Sequence, residues 1–144
     1  MVDVSSKEPT RRVARASGAI RMEAAALQGL VAGELPKGDA LAVARIAGIQ
    51  AAKLAPTLVP LAHPLPLEHV AVEVTPDPAL PGVRVTAEIV VTARTGAEME
   101  ALCAVAGALL SLYDMTKSLD RGMSIEAIRL EHKSGGRSGA WERE

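Results

Sequence analysis

A chain of 144 residues, 49% apolar and 23% charged, is long enough to bury a real core and has the balance of an ordinary globular protein. Its 16 basic and 17 acidic side chains leave a formal charge of −1. With one Trp, one Tyr and no Phe besides, it offers neither a basic field for nucleic acid nor rings to stack on bases. Cys103 is the only cysteine, so disulfides and cysteine-rich metal sites within one chain are excluded.

The opening segment, residues 1–10, is polar and contains Pro9, and it reads as an extended arm that orders only against something else. It carries no apolar signal core, and no run is judged long enough to span a membrane, so a cytoplasmic protein is expected. Arg12 to Met22 roughly alternates small or apolar with polar residues, which predicts a strand. Glu23 to Ala32 is helix-forming and Gly33 stops it. Asp39, after a Pro-Lys-Gly turn, is placed to cap a helix running from Ala40 to about Leu54. In that helix Ile46, Ile49 and Lys53 have helical spacing, and Gly48 permits close backbone approach.

Pro56 to Leu67 holds four prolines and His63 and predicts a stiff, irregular connection. Strands are expected at His69–Val74 and Val83–Ala93 around a turn-rich TPDPALPG segment. Val83, Val85, Ala87, Ile89 and Val91 should share one face. Thr95 is expected to cap a helix from Ala97 to about Leu119, with Thr95-x-x-Glu98 as a capping box. Ser124–Lys133 alternates as a last strand, and 134–144 reads as a flexible tail. The order β-α-α-β-β-α-β is that of a ferredoxin-like α+β fold. It gives an antiparallel sheet with helices on one face and one extra helix, as one domain over 1–144.

Five segments, in this order, resemble the cyclic pyranopterin monophosphate synthase family over nearly the whole chain. They are Met1-Val-Asp-Val-Ser5; Lys37-Gly-Asp39 leading into Ala44-Arg-Ile-Ala-Gly-Ile-Gln-Ala-Ala-Lys53; Val59-Pro-Leu-Ala-His-Pro-Leu65; Thr95-Gly-Ala-Glu-Met-Glu-Ala-Leu102 with Tyr113-Asp-Met-Thr-Lys117; and Lys133-Ser-Gly-Gly-Arg-Ser-Gly139. Ala62 and Thr116 depart from it, standing where the family commonly has Cys. The resemblance implies a lyase of molybdenum cofactor biosynthesis with no cofactor of its own. Its substrate would be a cyclised dihydroguanosine triphosphate made from GTP by a radical S-adenosylmethionine enzyme. It would form the pyranopterin, close a cyclic phosphate and release pyrophosphate. A ferredoxin-like fold, a hexamer of paired subunits and a site at a subunit interface are also implied. Mg2+ could accompany the triphosphate, but no protein ligand set for a metal is visible.

Such a reaction needs cations for the triphosphate and positioned proton donors and acceptors. Lys37 reads equally as an exposed turn lysine or as an acid, base or phosphate ligand before a helix start. The resemblance implies the second. Asp114 and Lys117 lie three apart on one helix face and read either as a surface ion pair or as a proton-transfer pair. The resemblance favours general acid/base roles for both. It also implies substrate contacts for Arg12, His63, Glu98, Met99, Glu100 and Lys133. Lys53 is equally explained as a cation at a helix C-terminus, Arg137 as part of a disordered tail, and His69 and His132 as structural. A phosphate-binding module without catalysis, or a scaffold protein, are the competing classes.

Helix geometry adds a constraint. Glu98 and Asp114 fall on one predicted helix, about 24 Å apart and on nearly opposite sides. One helix cannot bring both to one reacting atom. They serve separate subsites, or a second subunit supplies one of them.

Overall fold

The computed structural model describes Met1 to Glu144. The elements are β1 (Thr10–Arg21), α1 (Ala24–Ala32), α2 (Ala40–Lys53), α3 (Ala55–Leu58), β2 (His69–Asp77), β3 (Gly82–Ala93), α4 (Glu98–Thr116), β4 (Ser124–Ser134) and β5 (Trp141–Glu142). The strands form one sheet in the order β2-β3-β1-β4-β5, every pairing antiparallel. The first four strands with α2 and α4 make the expected α+β arrangement, and α1 is the extra helix.

Alternation explains the sheet. Val83, Val85, Ala87, Ile89 and Val91 all point into the core, with Arg84 and Glu88 on the opposite, open side. Central β1 turns Ala14, Ala16, Gly18 and Ile20 toward the helices. A Cβ on Gly18 would stand 2.8 Å from Val105 and 2.9 Å from Leu109, so this glycine lets α4 lie directly on the sheet. Ala127 has φ 51°, where a register shift interrupts the β1–β4 ladder.

The two long helices touch through small residues. Ala40, Ala44, Gly48 and Ala52 form the buried stripe of α2. A Cβ on Gly48 would lie 2.9 Å from the backbone oxygen of Ala104 and 3.0 Å from Val72. That backbone cannot swing aside. Gly48→Val should therefore destabilise the fold by at least ~2 kcal/mol, because overpacking outweighs the few tenths gained in helix propensity. A fall in thermal midpoint would show it; an unchanged midpoint would contradict the close contact. Ile46, by contrast, is 57% exposed and lies off this stripe. Of the helically spaced set, Ile49 packs against the core and Ile46 does not; with so few aromatics, alanine and glycine let the helices approach.

Caps and ends refine several expectations. Asp39 caps α2 by accepting from Ala42 N at 3.0 Å, and Gly33 closes α1 at φ 74°. The Thr95–Glu98 capping box does not form: α4 starts at Glu98 after Ala97, with no side-chain cap. It ends at Thr116, short of Leu119, with Lys117 as its C-cap. Within the proline-rich connection Pro56 opens the single turn α3, a position that needs no N–H donor. β2 runs on to Asp77 through Pro76, tolerated because β2 is an edge strand. The C-terminal segment is not all loop, since Trp141 and Glu142 pair with Lys133 and His132. α4 does have the length and apolarity of a membrane-crossing helix. Its Ala101, Ala104, Val105, Ala108, Leu109 and Leu112 are nonetheless in the buried core.

Candidate active site

Asp114 sits in the last turn of α4, Lys117 at its C-cap and Lys37 in the turn before α2. That turn is closed by Gly38 N donating to Leu35 O at 3.1 Å, with Gly38 at φ 90°, where a side chain would be strained. It carries Lys37 to the end of α4. Lys37 Nζ lies 2.5 Å from Asp114 Oδ2, and Lys117 Nζ lies 2.7 Å from Oδ1. One carboxylate thus holds two ammonium groups, each on its own oxygen.

All three side chains are half exposed, so ion pairing contributes little stability here. Its effect is positional. Hydrogen bonds from Lys117, then Lys37, lower the Asp114 carboxyl to about 2. Asp114 is therefore anionic at neutral pH between the two ammoniums. Each ammonium has three donors and spends only part of them on Asp114, so both retain N–H groups for a phosphate or a proton transfer.

The other end of α4 borders a cavity of about 610 Å³ lined by His63, Glu98, Met99 and Glu100. Glu98 folds its carboxylate against Gly96, in space that a side chain at 96 would need. Glu100 is 2% exposed, and its Oε1 has no hydrogen-bond partner. Burial, then the neighbouring Glu98 charge, raises its carboxyl above the ordinary range. Burial and the Glu100 charge likewise raise the Cys103 thiol.

The sign of the Glu100 shift makes a prediction. A raised folded-state value means stability is fully present below the unfolded glutamate value and is lost as pH rises through the folded one. Glu100→Gln should thus raise the thermal midpoint by a few degrees at neutral pH, with the gain vanishing below pH ~4. A pH series of melting curves checks this; a lower midpoint at neutral pH would mean Glu100 is not a costly buried charge.

A third group lies by the glycine loop after β4. Arg12 donates from Nε to Ala93 O at 3.3 Å and from Nη2 to Arg94 O at 3.2 Å. Lys133 Nζ donates to Ser138 Oγ. The candidate residues therefore fall into three sets: Lys37, Asp114 and Lys117; His63, Glu98, Met99 and Glu100; Arg12 and Lys133. One chain does not unite the first two, and α4 runs unbroken between them over 19 residues. Lys53 is exposed at the end of α2 with no ion pair. His132 is held by Glu142 across β4 and β5, a structural role.

The departures at 62 and 116 leave this geometry intact. Thr116 is buried, donates to Leu112 O at 2.6 Å and contacts the Met123 sulfur at 3.1 Å. Ala62 lines the cavity beside His63. Sequence reasoning missed the arm as part of this site: Met1, Val2, Val4 and Lys7 line the same cavity as Glu98 and Glu100. The Met1–Ser5 match was the available signal.

A family model described as the MoaC family matches residues 1–136. A protein of Methylobacterium nodulans named cyclic pyranopterin monophosphate synthase is 58% identical over 144 residues, covering 100% of this chain and 90% of its own. Proteins with that name from a Nostoc species and from Dinoroseobacter shibae are 57% and 53% identical, covering 96% and 100% of this chain and 83% and 91% of theirs. The match takes in the segments that carry all three groups of polar residues, so by its sequence throughout its length the chain belongs to the MoaC family.

Proposed function

We propose that this protein is a lyase of molybdenum cofactor biosynthesis that converts cyclised dihydroguanosine triphosphate to cyclic pyranopterin monophosphate and pyrophosphate. The printed name of its relatives supports the product, and the Lys37–Asp114–Lys117 cluster is the observation that carries the chemistry. Lys37 and Lys117 are the proton-transfer and phosphate-facing groups. Asp114 is their acid/base partner and the anion that aims both ammoniums. His63, Glu98, Met99 and Glu100 hold the ring system, and Arg12 and Lys133 contact the polyanionic end. The chain would act in the cytoplasm as one domain, on the product of a radical S-adenosylmethionine enzyme.

A complete site then needs two subunits, because the lysine cluster and the Glu98–Glu100 cavity lie at opposite ends of α4. Two copies related by a two-fold axis, with α4 antiparallel, would set each end against the partner's opposite end and make two identical sites. Three such pairs would give the hexamer. Surface chemistry supports association through the helices: Val43, Ile46 and Leu110 are exposed there, whereas the open sheet face carries ion pairs such as Arg84–Asp77 and Arg129–Glu131.

Incubating the purified protein with the cyclised substrate tests the reading. The expected result is pyrophosphate and a cyclic-phosphate pterin in equal amounts. Substrate binding without product at any enzyme concentration would reduce the protein to a phosphate-binding module.

A further inference from the structure

The extra helix α1 ends at Ala32, and Lys37 follows five residues later. Its other end is held by the turn after α4, where Asp120 Oδ2 accepts from Glu23 N at 2.9 Å. We infer that Asp120 is a positioning residue for the lysine cluster, tying the segment that carries Lys37 to the turn that carries Lys117. The tie stands on the geometry below; its bearing on turnover rests on the reading of Lys37, Asp114 and Lys117 above.

Both sides of the tie are themselves fixed. After α4 the chain folds back at once, with Lys117 N donating to Tyr113 O at 2.9 Å and Leu119 N to Thr116 O at 2.8 Å. Tyr113 OH donates to Arg121 O at 3.1 Å, and the second Asp120 oxygen accepts from Gly122 N at 2.7 Å. Residues 117–122 are thus one hydrogen-bonded turn. On the α1 side, Gly33 N donates to Leu30 O at 3.2 Å and closes the helix. Buried Leu35 then anchors the chain two residues before Lys37.

Burial alone does not set how the two segments meet. Ala26, Leu27 and Leu30 press α1 into the core, but that attraction is non-directional and tolerates a small slide or roll. The Glu23–Asp120 contact is the one hydrogen bond between residues 23–36 and 117–124, and it is charge-assisted. α1 has no side-chain cap and no acidic residue in its first turn, so Asp120 also supplies the anion that its N-terminus lacks. A Cβ on Gly29 would stand 2.9 Å from Leu119 Cδ1, so the same turn lies against the middle of α1.

The Lys37–Asp114 pair cannot substitute for this tie. Both its side chains are half exposed, and an ion pair in that setting is too weak to hold two segments together. It forms because they are already at the right distance. A shift of about 1 Å in the start of α1 is enough to cost a positioned catalytic group much of its effect.

An NMR titration of the Asp114 carboxyl in the full chain tests the tie without requiring turnover. Hydrogen bonds from Lys117 and Lys37 hold that carboxyl at about 2. In Asp120→Ala it should move up toward the ordinary aspartate range, as it should in Lys37→Ala. Loss of the Asp120 charge by itself would push it down, so an upward move reports a displaced lysine. Should that variant fail to fold, Glu23→Pro removes the same hydrogen bond from the other side, at φ −59°, which proline adopts, and carries the same expectation. With the cyclised substrate, Asp120→Ala should lower kcat roughly tenfold with a smaller change in KM. Asp120→Asn, which keeps one acceptor oxygen, should fall between it and the native protein. Adding Asp120→Ala to Lys37→Ala should lower kcat no further, because the two act through one group. An unmoved or lowered Asp114 titration, or a further loss in the double variant, overturns the role. The expected titration in a protein that makes no pyrophosphate would instead sink the proposed reaction and leave the tie standing.

Discussion

Lys117→Ala should cut the rate of pyrophosphate release by about 10²–10⁴-fold, the range lost when a positioned acid or base is removed. Lys117 is half exposed and lies outside the buried core, so the fold should be barely affected, within roughly 0.5 kcal/mol. Without it Asp114 still pairs with Lys37, so the variant isolates the loss of one ammonium rather than collapse of the cluster. Lys37→Ala should behave alike. Asp114→Asn leaves two ammoniums with no anion between them, and both lose their aim. The pH profile separates the roles. Because the Asp114 carboxyl is depressed to about 2, its pairing is present above its unfolded value and is lost only as pH falls through about 2. A fall in activity between pH 6 and 4 must then come from another group. Native turnover by Lys117→Ala would remove Lys117 from the mechanism.

Mixing two inactive variants should restore activity. Lys117→Ala damages the cluster at the C-terminal end of α4 and Glu98→Gln the cavity at its N-terminal end. If each site takes one end from each of two subunits, random reassembly of equal amounts makes about a quarter of the sites wholly native. The mixture should then recover about a quarter of the native rate, whereas each variant alone stays near background. Two ends some 27 Å apart along a 19-residue helix make the contrast sharp. No recovery after confirmed subunit exchange would place the whole reaction within one chain, against the rigidity of α4.

Much of the fold was legible because its signals are local. The alternation of Val83, Val85, Ala87, Ile89 and Val91 is a period-two pattern that any reader of the chain meets, and these residues are buried together. Asp39 and Gly33 announce helix ends by their own chemistry, and both act as read. The misreadings lie where neighbours distant in sequence decide. Thr95 had the pattern of a cap, but Glu98 instead curls against Gly96 at the edge of a cavity also lined by Met1 and Val4. In α2, closeness to α4 selects the alanine–glycine stripe, which presents the least bulk at the contact and which spacing alone did not single out.

The same division holds for the site. Sequence by itself determined the family segments, the polar residues in them and, through helix rise, the separation of Glu98 from Asp114. Only tertiary structure decided that Lys37 crosses from another helix start to share Asp114 with Lys117, because 77 positions lie between them and no local spacing encodes that contact. It also set Asp114 between two ammoniums that lower its carboxyl, since a carboxylate's protonation depends on the cations folding places beside it. And it brought the arm and the glycine loop together around one cavity bordered by Lys7, Arg12 and Arg137, a convergence invisible along the chain.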